Sequence, residues 1–254
     1  MTCCCGFAYA QARILARVSR LPSPADWQRL ASARTLTAYL EEARVSGLSE
    51  WVRGFSGLSQ PHDLERGLRA LARESALTTA EWAPRPWRPA IEWVGWLPWL
   101  PLFEHVSRGD GLPDWVRRDD QLGGLIGEGD ALDPAALESA GLAALIRLPE
   151  PSGLGARWLT GWRERWPACG RQKRRNLEWL AVLVPRHLDA FRQVSPASAW
   201  ALREALRERL RLHLHQHLLQ PAALFGYLAL VFLDLERLRA ALLTRAVFSA
   251  DREG

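Results

Sequence analysis

Residues 222–247 read AALFGYLALVFLDLERLRAALLTRAV, in which Leu224, Leu228, Val231, Leu235, Leu238 and Leu242 follow one another at spacings of 4, 3, 4, 3 and 4. An α-helix turns once in about 3.6 residues, so these side chains form one continuous seam suited to another helix. Each such side chain removed from water contributes on the order of 1.5–3 kcal/mol, so this helix must be packed. Immediately upstream, residues 199–219 read AWALREALRERLRLHLHQHLL, with Leu202, Leu206, Leu210 and Leu214 in an i, i+4 row among arginines and glutamates. Pro221 separates the two, because proline lacks the N–H a continuing helix needs. The carboxy-terminal quarter is a helix pair, and it sets the expectation for the whole: an all-α protein.

The same periodicity recurs towards the amino terminus. Ile14, Val18 and Leu21 make one apolar stripe and Arg13, Arg17 and Arg20 lie on another face, predicting a helix over 8–21 that Pro22 stops. Ser23-Pro24-Ala25-Asp26 then offers an N-cap hydroxyl, a proline at the first helical position and an acid near the helix's positive end. Further helices are predicted over 35–46, closed by Gly47, and over 61–74, where Leu64, Leu68 and Leu71 share a face. Alternating Val/Ile/Thr runs bounded by turns are almost absent, so no sheet is expected. The chain reads as a single all-helical domain over 1–254, a set of bundles of short helices near 7–82, 83–168 and 169–254.

The middle has a different texture. Trp82, Trp87, Trp93, Trp96, Trp99 and Trp115 stand among Pro84, Pro86, Pro89, Pro98, Pro101 and Pro113, which predicts an irregular Trp/Pro-rich segment. Its indoles either cap the core or form an exposed patch for a partner. Gly109–Pro134 reads as loop and short helices with an acidic surface. Its Gly123, Gly124, Gly127 and Gly129 lack the Lys-Ser/Thr of a phosphate loop and follow no strand, so nucleotide binding is not supported.

Across 254 residues, 48% hydrophobic and 24% charged, the composition excludes a disordered chain. Lys plus Arg is 33 against 28 acids, a net charge of +5 that does not by itself imply nucleic acid. Lys173 is the only lysine, so the arginine excess reads as coding bias and lowers the weight of any single arginine. Charge is segregated: residues 104–138 hold nine acids against three basic residues, and 157–192 hold nine basic residues against three acids. In the basic window Trp158, Trp162 and Trp166 recur every four residues before Arg171, Lys173, Arg174 and Arg175. That stripe reads as a buried helix face, with direct contact to an acidic partner, anionic headgroups or nucleic acid as the functional option.

Cys3, Cys4, Cys5 and Cys169 form neither a CxxC pair nor a disulfide framework, which fits a reducing cytoplasm. The opening MTCCCGFAYA has no preceding positive charge and is too short for a secretion signal. Thr2 excludes N-myristoylation, and palmitoylation of the neighbouring thiols is a minor option. The apolar uncharged run 221–233 falls short of the roughly 20 residues that cross a bilayer. His213 and His217 in HLHQH lie one helical turn apart, a spacing that suits a shared zinc ion, but His215 points to the opposite side and no acid completes an HExxH arrangement. A solvated helix face is the plainer reading, and no metal is expected. No GxSxG elbow occurs, and the carboxylates lie among arginines as ordinary ion pairs, so no catalytic residue, cofactor or small-molecule substrate is expected.

Two stretches at opposite ends of the chain carry a further pattern. The first is Tyr9-Ala10-Gln11-Ala12-Arg13-Ile14, then Arg17, Arg20-Leu21, a short capped helix and Leu36 to Glu41. The second is Pro221 followed by YLALVFLDLERLRAALLTR, with Tyr227, Asp234 seven residues on and Arg239 twelve residues on. Together they resemble the V-type ATPase family of rotor adaptors, the C-type subunits, called d-type in eukaryotes, whose members carry a tyrosine, an acid and an arginine at those last three places. Arg237 occupies a place where members commonly have asparagine, and the middle of the chain is not matched. The resemblance implies a funnel of three pseudo-repeated helical bundles on the cytoplasmic face of the membrane rotor ring, receiving the foot of the central stalk. Such an adaptor is non-catalytic and peripheral to the membrane, and transmits torque between ATP chemistry and proton or sodium transport. Tyr9, Arg13, Tyr227, Asp234 and Arg239 are then structural. On this reading Trp93, Trp96 and Trp99 face the ring, and Arg171, Lys173, Arg174 and Arg175 face an acidic partner. The alternative from another class is an Arg/Trp-rich helical module that binds nucleic acid or another acidic partner. A third is a small metalloenzyme at HLHQH.

Overall fold

The computed structural model describes residues 5–108, 111–127, 131–146 and 153–250. Cys3, Cys4 and Gly129 lie outside the described residues. In chain order the α-helices are α1 Ala8–Val18, α2 Pro24–Ala31, α3 Leu36–Arg44, α4 Ser49–Val52, α5 Pro61–Trp82, α6 Arg88–Val94, α7 Leu100–Ser107, α8 Pro134–Ser139, α9 Ala143–Ile146, α10 Gly153–Glu164, α11 Arg171–Gln193, α12 Pro196–Gln216 and α13 Pro221–Ala250. Short 3-10 turns punctuate the Trp/Pro-rich segment at Arg85–Trp87 and Leu97–Trp99, where the prolines break longer helix. No strand forms among the described residues; an antiparallel bridge joins Ile126 to Leu132. The fold is all-α.

Local chemistry explains the helix starts. The Ser23 hydroxyl accepts the Asp26 amide while the Asp26 carboxylate accepts the Ser23 amide, a reciprocal cap with Pro24 at the first position. The Thr35 hydroxyl accepts the Ala38 amide at 3.2 Å and starts α3. Several boundaries differ from the sequence expectation; α12, for one, spans Pro196–Gln216 in place of 199–219. α1 ends at Val18 because Arg20 and Leu21 donate three residues back, to Arg17 and Val18, in a tightened turn leading into Pro22. α5 continues to Trp82, its second half burying Ala72, Ala76, Thr79 and Ala80 instead of leucines. Those small side chains let α6 pack close, and Thr79 satisfies its hydroxyl on the Ser75 carbonyl at 2.7 Å.

The chain forms two compact units, residues 1–95 with 167–254, and residues 96–166. In the first, α13 is central and packs on α12, α5, α11, α1 and α3, with its whole predicted seam buried. The stretches 7–82 and 169–254, expected as separate bundles, are therefore one packed body, because α13 needs partners on more sides than its neighbour α12 supplies. The turn into α13 holds Leu219 at φ 61°, a left-handed conformation costly for leucine, and the buried Gln11 side chain accepts its amide at 3.0 Å. Further along α13, Arg245 donates to the Ala33 carbonyl at 2.9 Å, placing a cation beside the end of α2.

The second unit has its own core of Trp99, Phe103, Leu122, Leu142, Leu145, Trp158 and Trp162. Trp158 and Trp162 stack at 6.1 Å on the packed face of α10, and Trp166, just past the end of that helix and half-buried, meets Trp162 edge-on at 4.8 Å. The expected acidic surface over 109–134 is interrupted at Asp119, which is buried and accepts the Trp99 indole N–H at 3.2 Å.

Candidate functional site

The five residues that carry the family resemblance lie in the first unit. Arg13 on α1 sits over the Trp82 ring at 5.3 Å, and Trp82 at the end of α5 meets Tyr227 on α13 at 6.4 Å. Trp82 thus bridges residues drawn from the two ends of the chain. Asp234, 1% exposed, pairs with Arg207 of α12, which also donates to the Pro22 carbonyl at 2.8 Å. Burial pushes the Asp234 carboxyl up to about 6, against the opposing pull of Arg207 and Arg237. Arg239 grips both carboxylate oxygens of Glu65 on α5, with its Nε at 2.8 and 2.9 Å. Tyr9 departs from the expected structural role: its side chain is exposed and adds little to the core. Arg237 lies over the rings of Trp27 and Trp200 at 4.5 and 4.3 Å and donates to Glu204 at 2.8 Å, contacts that a shorter side chain would not span. Arg207 and Glu65 are invisible to sequence pattern, since each sits among many similar residues, whereas Trp82 stands out only as one of the six tryptophans of the Trp/Pro-rich segment.

Beneath this group lies a cavity of about 370 Å³ lined by Trp51, Glu74, Ser75, Trp82 and Tyr227, with Arg17 and Glu50 paired at 2.9 Å on its wall. Burial raises the Tyr227 phenol above its ordinary range. Of the hydroxyls that line it, Ser75 donates to the Leu71 carbonyl at 2.8 Å.

The proposed ring-facing tryptophans require a correction. Trp93 and Trp99 are 3% and 1% exposed and Trp96 is half-buried, because the proline-broken helices fold their indoles inward. The basic cluster is on the surface: Arg171, Arg174 and Arg175 are exposed and Lys173 is half-buried, all in the opening turns of α11. The macrodipole is already positive there and the first turn holds no acid, so Arg171, Lys173 and Arg174 are each placed unfavourably by up to about 0.3–1 kcal/mol, an effect that fades by Arg175.

His213 and His217 come together, with ring centroids 4.3 Å apart, and His215 is exposed on the other side of α12. His213 stacks on Trp179 of α11 at 4.2 Å, and Asn176 donates to Nδ1 of His217 at 3.2 Å and to Gln220 at 2.8 Å. Burial, then His217, lowers His213 to about 4. Among the described residues no three His, Cys, Asp or Glu gather to hold a metal ion. Nor is any helix of the described residues long and apolar enough to cross a membrane. Comparison with protein-family models, with curated proteins and with solved structures found no match.

Proposed function

We propose that the chain is a non-catalytic adaptor of a rotary V-type ATPase, a divergent relative of the C-type family that links the central stalk to the membrane rotor ring from the cytoplasmic face. The observation that carries this reading is the meeting at Trp82 of Arg13 and Tyr227, residues from the two stretches that resemble the family. Distant motifs that serve one architecture are expected to converge, whereas chance helical matches are not. The exposed Arg171, Arg174 and Arg175, the first two set against their helix dipole, suit an acidic neighbour that offsets their placement.

The test is affinity purification of the tagged full chain from its native cells. Nucleotide-binding head, stalk and ring subunits of an ATPase are expected in the eluate, and recovery of the chain without them would overturn the proposal. The nucleic-acid alternative has the exposed basic cluster in its favour. It predicts retention of DNA or RNA at low salt and steep loss as salt rises.

A further inference from the structure

Between α11 and α12 lie two adjoining cavities, of about 430 and 270 Å³, with Trp179 and Arg209 common to both. The larger has an aliphatic floor that includes Val182, Leu183, Leu202 and Leu206, with Arg186, His187 and Arg209 around it. The smaller continues past Trp179 to Arg175 and Leu212. Large apolar side chains along this groove stay in water: Trp179 is 40%, Val182 41% and Leu212 58% exposed. Single exposed leucines are ordinary, but apolar side chains gathered on a groove mark a binding surface. No carboxylate occurs among the described lining residues of either cavity. Burial, with Arg203 and Arg209, holds the His187 imidazole below its ordinary range, so the positive field near neutral pH belongs to the arginines.

We propose that this groove docks an amphipathic helix of a protein partner, whose leucine-type stripe seats on Val182, Leu183, Leu202 and Leu206 while flanking Asp or Glu side chains meet Arg175, Arg186 and Arg209. Aliphatic knobs entering an aliphatic groove bury area on both sides, and Trp with Arg is the composition of energetic centres at protein interfaces. The arginines favour an acidic helix over a basic one and steer its approach. A nucleic-acid strand fits less well: phosphates gain nothing from the aliphatic floor, and one face of Trp179 is already taken by His213. This inference does not rest on the rotor reading.

The test uses the full-length chain and two labelled synthetic helices with the same leucine stripe, one flanked by Glu and one by Lys, followed by fluorescence anisotropy. The Glu-flanked helix is expected to bind at least about tenfold more tightly than the Lys-flanked one. Arg186→Glu with Arg209→Glu reverses that order, and Val182→Asp abolishes binding. All three positions are exposed, so an unchanged thermal midpoint is the control, and the milder Arg186→Gln with Arg209→Gln, which removes the salt dependence, serves if the reversal unfolds the chain. Equal affinity for the two helices, no binding of the Glu-flanked one, or binding indifferent to these variants would each overturn the proposal. So would a dimer that Val182→Asp dissociates. Tighter retention of a single-stranded oligonucleotide, or of phosphatidylcholine vesicles containing phosphatidylserine, that is lost with the two arginines would do the same. None of these results bears on co-purification with ATPase subunits, which tests the other proposal.

Discussion

α13 and α11 are long helices of the same unit, 30 and 23 residues, that use their apolar side chains in opposite ways. From Ala222 to Leu228 every position of α13 is buried, and its charges close on partners within the chain, Asp234 on Arg207 and Arg239 on Glu65. α11 buries Leu177, Leu180 and Ala181 on one face yet leaves Trp179, Val182 and Val184 exposed beside Arg175 and Arg186. Pro185 within α11 also forgoes one helical hydrogen bond. α13 keeps its seam and these charges inside the molecule and exposes large apolar side chains only near its end, at Val247 and Phe248, whereas α11 leaves apolar and cationic groups together in water along the groove, as the docking proposal requires.

The sharpest way to break that contrast is Arg207→Ala, which strands the buried Asp234 and frees the Pro22 carbonyl. It is expected to destabilise the chain by about 3–5 kcal/mol in urea unfolding, and much less when combined with Asp234→Leu. Independent, additive costs would show that the two side chains are not coupled. Leu238→Ala in the α13 seam comes next, with an expected loss of about 2–5 kcal/mol, because Leu238 is fully buried.

The pH dependence separates by sign Asp234 on α13 from His213 on α12, whose ring stacks on Trp179 of α11. Folding favours neutral His213, whose value falls from 6.5 to about 4, so its contribution is complete above about pH 6.5 and is lost as pH falls towards 4. Folding favours protonated Asp234, whose value rises from 3.8 to about 6, so its contribution is present below about pH 4 and is lost as pH rises through 6. The slopes oppose each other. Relative to the unmodified chain, His213→Asn should make stability fall more steeply between pH 4 and 6, and Asp234→Asn should make it rise. The separation should be on the order of 1–3 kcal/mol, measured by urea unfolding at stepped pH. Parallel stability curves for both variants would exclude these two groups as its origin. The smallest effect is expected at the groove, where Leu212→Ala should stay within about 0.5 kcal/mol. A cost matching that of Leu238→Ala would make the groove structural.

Much of this is legible in the residue pattern. The seam of α13 and the cap at Ser23 follow from spacing and from a short polar side chain just ahead of an apolar run. The second half of α5 is not legible, because Ala72, Ala76 and Ala80 give a weak apolar signal and become buried only through the approach of α6. Nor is the inward turn of Trp93 and Trp99, since prolines announce broken helix without saying which way an indole faces. The groove escapes the pattern because cations interrupt the apolar period of α11, although Trp179 among arginines is a usable hint.

By itself, then, the amino-acid order determined the class of secondary structure, the places where helices start, and the need of the last helix for neighbours, because helix period and end-group chemistry act within a few residues. Which helices answer that need, which carboxylate receives Arg207 or Arg239, and which tryptophans meet water were decided only in three dimensions. Those outcomes depend on contacts between residues far apart in the chain, such as Arg207 and Pro22, that no local pattern encodes.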